Sequence, residues 1–140
     1  MENIAWSEDL LLGVDEIDRS HQLFLAQLNQ LRLAADSDLP EKLAALTKEM
    51  ESDFFHEEAL MEKLNYPDIK MHREQHAMVL SAFHIIVPEV MQGKFSNARN
   101  ALELLPQWLV MHIKTVDKAL VLFWLQAKKN SCQTAVSMEI

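Results

Sequence analysis

Four apolar seams, each stepping alternately three and four residues, predict an all-α protein built as an up-down-up-down four-helix bundle with an N-terminal arm. Composition agrees. Only two Gly and four Pro occur in 140 residues, and 49% of the residues are hydrophobic, so little interrupts a helix and there is enough apolar surface for a core. The breakers that do occur fall mostly between the seams. We expect one domain over 1–140: an arm over 1–14, a bundle over about 15–129, and a short frayed C-terminal tail holding Cys132.

The first helix is expected from about Asp15 to Ala35, with the seam Val14, Ile17, His21, Phe24, Leu28, Leu31, Ala35, ending in Asp36-Ser37-Asp38. The second carries Pro40 in its first turn, where proline is tolerated. Its seam is Leu43, Leu46, Met50, Asp53, Glu57, Leu60, Leu64, and it stops at Asn65-Tyr66-Pro67. The third runs from about Asp68 to Val90 through Ile69, His72, His76, Val79, Phe83, Ile86 and Val90; Pro88 should distort its last turn and Gly93 close it. The fourth begins near Ser96 or Asn97 and continues to about Lys129 through Leu102, Leu105, Leu109, His112, Val116, Ala119 and Phe123. Pro106 inside it predicts a kink, or a short helix followed by a longer one.

Several function classes are disfavoured. A formal charge of −8 offers no basic patch for nucleic acid. One cysteine cannot build a disulfide framework or a Cys-rich metal site. No apolar run approaches the roughly 18 residues of a membrane span. The opening MENIAWSEDL is acidic and lacks the basic region of a secretory signal, so a cytoplasmic location is expected.

The seams are apolar except at His21, Asp53, Glu57, His72, His76 and His112. One unpaired buried polar group costs about 1–3 kcal/mol, and an unpaired charge far more. A metal-free hydrogen-bonded network would be one answer to this many titratable groups. Imidazoles and carboxylates converging from four helices are also the ligand set of iron, manganese or zinc, and the number of groups favours that answer. Asp53/Glu57 and His72/His76 are i,i+4 pairs, each on one helix face. Glu74 lies about 200° around the helix from His72, so a zinc-protease HExxH site is excluded. His84, one past the seam, is expected to face solvent.

The motifs closely resemble the hemerythrin family, in particular its single-domain bacterial members, the bacteriohemerythrins. IAWSEDLLLGVDEIDRSHQLF is similar to the family's Trp-containing arm and first helix, FFHEEALMEKLNYPDIKMHREQH to its second and third, and LLPQWLVMHIKTVDKAL to its fourth. The resemblance implies reversible O2 binding at a non-haem di-iron centre. It would place His72, His76 and His112 on one iron, Glu57 and Asp117 across both together with an oxo or hydroxo bridge, and His21 on the second. Asp117 enters through the resemblance alone, because it lies about 140° around an α-helix from His112. Phe24, Trp108, Leu109 and Ile113 would wall the O2 pocket; their spacing by itself says only core packing.

Where the family places a second-helix histidine on the second iron, this chain has Asp53. Three outcomes are open: Asp53 coordinates directly, the second iron binds weakly or not at all, or His56 takes the position. Direct coordination is the first expectation, and an added anionic ligand predicts faster oxidation of ferrous iron than a histidine would give. The function expected is O2 carriage, storage or sensing, with a redox or signalling protein as partner. The alternative is a di-iron oxidase, peroxidase or nitric-oxide-handling enzyme.

Overall fold

The computed structural model describes residues 3–139, with side chains described through Ser131. A 3₁₀ turn, Glu8–Leu10, ends the arm. Five α-helical segments follow: α1 (Asp15–Leu33), α2 (Leu39–Leu64), α3 (Ile69–Met91), α4 (Ser96–His112) and α5 (Lys118–Glu139). A π-helical turn, Ile113–Asp117, joins α4 to α5 without leaving helical dihedrals, so the five segments form four rods. The architecture is the expected four-helix bundle. Among the described residues no helix is long and apolar enough to cross a membrane.

Local chemistry sets the helix ends. Gly13 takes φ +90, in the left-handed region that favours glycine, and this lets the arm turn onto α1. The amides of Leu12 and Gly13 then donate to the two carboxylate oxygens of the buried Asp18 at 2.8 and 3.1 Å. Asn65 closes α2 at φ 52, with the Tyr66 amide bonded back to the Met61 carbonyl at 3.0 Å, so α3 starts antiparallel to α2 within a few residues. Arg99 on α4 donates to the Ala34 carbonyl at 2.7 Å and to Asp36 at 2.6 Å, tying down the end of α1.

The core lies in two parts. The larger cluster includes Leu28, Leu43, Met50, Phe83, Leu102 and Ile113; a smaller one, Met61, Tyr66 and Leu120, closes the opposite end. Each fully buried Leu or Phe stabilises the fold by about 1.5–3 kcal/mol. On α2, α3 and the last rod the polar seam residues fall between residues of the two clusters.

Three expectations are corrected. Pro106 is buried inside a continuous α4, and the departure from α geometry comes instead at Ile113–Asp117. The last helix continues to Glu139 where a frayed tail was expected; the Cys132 side chain lies outside the described residues. Past His112 the buried face moves on by one residue, so that Leu120 and Val121 are buried where Ala119 was expected. The cause is the π turn. Bonding i→i+5 takes one more residue to come round, which shifts every later position.

That extra residue supplies a test. Thr115 is exposed, and its hydroxyl donates to the Met111 carbonyl at 2.7 Å. Deleting it would leave Asp117 four residues after His112 on an ordinary α-helix, still on the same face, with Leu120 and Val121 in register. We expect the deletion variant to keep its helical circular dichroism and bound metal, at a cost of about 1 kcal/mol. A folded variant that loses metal would mean that the wide turn itself is required.

Candidate metal centre

His72, His76, His112 and Asp117 are all buried, and Glu57 nearly so. One ligand atom from each of these five residues lies within 4.8 Å of all the others. Glu57 Oε1 is 2.5 Å from His72 Nε2 and 3.1 Å from His76 Nε2. Asp117 Oδ1 is 3.2 Å from His72 Nε2 and 3.1 Å from His112 Nε2. Yet none of these atoms makes an aligned hydrogen bond: the three Nε2 atoms, Glu57 Oε1 and Asp117 Oδ1 are all buried without a hydrogen-bond partner. Close approach without alignment means that the lone pairs point at a shared centre rather than at one another. Buried polar atoms are almost always satisfied. A cation at that centre satisfies all five.

The rings are held for this role from behind. The His112 Nδ1–H donates to Gln75 Oε1 at 2.7 Å, and the His76 Nδ1–H donates to Glu58 Oε2 at 3.1 Å. Each bond leaves Nε2 as the unprotonated acceptor facing the centre. Arg73 in turn pairs with Glu58 at 3.3 Å. Phe54 stacks on the His76 ring with centroids 3.8 Å apart, and Trp108 on the His112 ring at 4.7 Å. Sequence patterning missed Glu58, Gln75 and Asp18. Each is polar and sits beside the seam, where periodicity predicts a solvated flank. For Glu58 and Gln75 the available signal was adjacency to Glu57 and His76. Replacing Gln75 with Ala should weaken metal binding by about 10–100-fold with the fold intact, measured by competition with a chromophoric chelator.

Charge at the centre is strongly coupled. Burial alone would lower the His72 pKa, but the carboxylates of Asp117 and Glu57 outweigh it and push it up to about 9. Burial alone would raise the Asp117 carboxyl, but the imidazoles of His112, His21 and His72 hold it well below the usual range. Asp117 also reaches in two directions. Its Oδ1 faces His72 and His112, while its Oδ2 lies 3.0 Å from His21 Nε2. One carboxylate therefore faces two imidazoles on one side and a third on the other, as a ligand shared between two ions would. The π turn makes this possible: on an α-helix the fifth residue after His112 would point elsewhere.

The structure does not bring every expected residue into the group. Asp53 is exposed, and its Oδ2 accepts from the Ser20 hydroxyl at 3.2 Å. Partial burial pushes its carboxyl pKa up, against the pull of that hydrogen bond. His56 is exposed too, its Nδ1–H donating to the Ser52 carbonyl at 2.7 Å. Neither joins the five-residue cluster. Both line a cavity of about 340 Å³ that reaches down to His21, Glu57, His112 and Asp117. Phe24 and Leu109 also line it; Trp108 instead covers His112, and Ile113 packs in the core. His84 faces solvent and pairs with Glu51 at 2.7 Å.

The donor set, neutral imidazole nitrogens and carboxylate oxygens, fits a divalent or trivalent transition metal. Residues 12–122 match the hemerythrin HHE cation binding domain. The chain belongs to the hemerythrin family. Among similar hemerythrins, a bacteriohemerythrin of Ralstonia nicotianae is 28% identical over 134 residues, covering 96% of this chain and 98% of the relative. Myohemerythrin-1 of Phascolopsis gouldii is 29% identical over 117 residues, covering 83% and 90%. A crystal structure of a hemerythrin mutant matches with a TM-score of 0.78 at 22% identity, covering 88% of this chain and 98% of that one, which shows the shared fold.

Proposed function

We propose that this hemerythrin holds two iron ions unequally and binds O2 on the side of the second. Its five unpartnered ligand atoms, gathered within 4.8 Å, carry the reading. His72, His76 and His112 would hold the first ion, with Glu57 and Asp117. His21 and Asp117 Oδ2 would hold the second, where Asp53 stands beside the position without joining it. When bound, the iron pair supplies the electrons that make O2 binding tight and reversible. The chain's own residues do the rest. Phe24 and Leu109 limit water on the O2 side, Gln75 and Glu58 fix the imidazoles, and Asp117 couples the two positions. With no second histidine on its side, the second ion should bind more weakly than the first, which has three. The role built on O2 binding would be carriage, storage or sensing in the cytoplasm, with a redox or signalling protein as partner.

The second reading is a di-iron oxidase, peroxidase or nitric-oxide-handling enzyme. One observation favours it: Asp53 is turned toward Ser20, so the cavity above the second position opens to solvent, which promotes oxidation of ferrous iron. Protein loaded with ferrous iron without air should contain two iron ions. Brief exposure to O2 should then give a visible absorption that disappears under vacuum and returns with O2. Sustained consumption of O2 or peroxide with no reversible absorption would replace the first reading with the second. In the Asp53→His variant the second ion should bind more tightly, by about tenfold or more.

A further inference from the structure

Five large apolar side chains stand exposed on one face of the bundle. Met71, Met78 and Ile85 follow one another at seven-residue steps on α3, and Leu104 and Met111 do so on α4; each is between 42% and 67% exposed. At about 100° per residue the α3 stripe lies about 100–140° around from the buried seam, and the α4 stripe about 130–160°. Both are displaced toward the boundary between the two helices. On α3, Gln75 lies between seam and stripe and bonds His112 across that boundary. Two neighbouring helices of a square bundle look outward together at about 135° from their seams, so the five side chains point the same way. Single exposed apolar residues are ordinary on any surface. A seven-residue step is different, because it is the spacing that keeps a stripe aligned along another helix. Among the described residues, no three of the other exposed large apolar side chains share a stripe.

Register and charge together select the occupant. Gln75 lies opposite His112, and Glu89 opposite Asn97, so the levels of α3 and α4 are fixed against each other. Counting from these pairs, Met78 stands level with Leu109 and Ile85 with Leu102, each about half a turn from the exposed Met111 and Leu104. Glu74 stands level with Ile113, beside the exposed Lys114. A chain of formal charge −8 repels its own copies over most of its surface. This face is the exception, because its centre is uncharged and its edge carries one charge of each sign at the same level.

We propose that the α3/α4 face is an interface between two copies of this chain, related by a two-fold axis that runs along the α3/α4 boundary. That axis lays each α3 over the partner's α4 without changing level. Met78 then meets the partner's Met111, Ile85 meets the partner's Leu104, and Glu74 meets the partner's Lys114. The stripes run about 21 Å along a helix pair about 20 Å wide, a footprint of roughly 400 Å². A standard interface buries about 800 Å² per partner, so with its polar rim this one suits a reversible dimer rather than an obligate one. The inference does not depend on the metal-centre reading.

Sedimentation velocity of the full chain, from about 5 to 500 μM, tests it. A reversible monomer–dimer equilibrium is expected, with Kd on the order of 1–100 μM. Met78→Glu and Ile85→Glu each put a carboxylate into the apolar centre and should weaken dimerisation at least about tenfold. Helical circular dichroism should not change, since both positions are exposed. Leu23→Glu adds the same charge at an exposed position on α1 and should leave Kd within about threefold. Glu74→Lys and Lys114→Glu should each weaken the dimer by about threefold or more, and the double variant, with the parent's net charge, should restore it. A chain that stays monomeric at 500 μM, a dimer unmoved by both Met78→Glu and Ile85→Glu, or a double charge swap no tighter than the single ones would each overturn the assignment.

Discussion

Replacing Asp117 with Asn should cost both metal positions at once. The carboxylate approaches His72 and His112 through Oδ1 and His21 through Oδ2, so its loss removes close polar contacts to three imidazoles at once. Changes to groups that merely orient a ligand cost about 10–100-fold in affinity, so loss of a shared ligand should cost more than about 100-fold. The measurement is metal content after gel filtration, with affinity by chelator competition. Circular dichroism should show the helices intact, because the change is nearly isosteric. An Asp117→Asn variant that keeps two tightly bound ions would remove Asp117 from the centre.

The second large effect is a reversal of pH dependence between metal-free and metal-loaded protein. His72 is pushed up to about 9 from an ordinary 6.5, so its pairing stabilises the metal-free fold fully below pH 6.5. That contribution, roughly 3 kcal/mol for a fully buried group, disappears as pH rises through about 9. Asp117 is held below its ordinary value of 3.8, so its contribution is present above that pH and is lost as pH falls further. Metal-free protein should therefore be most stable from about pH 4 to 6.5. Metal must displace the His72 proton, so affinity should rise by at least about tenfold per pH unit between pH 6.5 and 9. At pH 8.5, metal at 100 times its Kd adds about 2.7 kcal/mol, or about 10 °C in Tm for a chain of this size. Urea titrations with and without chelator across that range would show it. Parallel curves would mean that His72 does not titrate against the metal.

Asp53, standing where the resemblance leads one to expect a histidine, is the reason to expect the two positions to differ. A histidine there would place a neutral nitrogen on the second ion, held by its own ring. An aspartate is shorter, and in this bundle it finds the Ser20 hydroxyl on α1. The expectation of direct coordination rested on a seam position being an inward position. Asp53 lies in the seam by spacing, but it stands where a cavity opens beside α2, so its carboxylate takes the wetter of two directions. Seam spacing gives a helix face. It does not say whether the neighbouring helix closes over that face.

By itself the sequence determined the bundle and most of the centre. Burial of apolar residues at three- and four-residue steps is the dominant driving force for a helix to choose a face, and His21, Glu57, His72, His76 and His112 share those faces with Leu and Phe. Tertiary structure decided what depends on a single turn or on the opposite side of a contact. Asp117 reaches the centre because one turn closes with i→i+5 bonds, and that same residue moves burial from Ala119 to Leu120. Glu58 and Gln75 matter because ring nitrogens from other positions reach them. Helical periodicity encodes direction around one axis. Whether a helix locally widens, and what lies across from it, is settled only when four axes pack together.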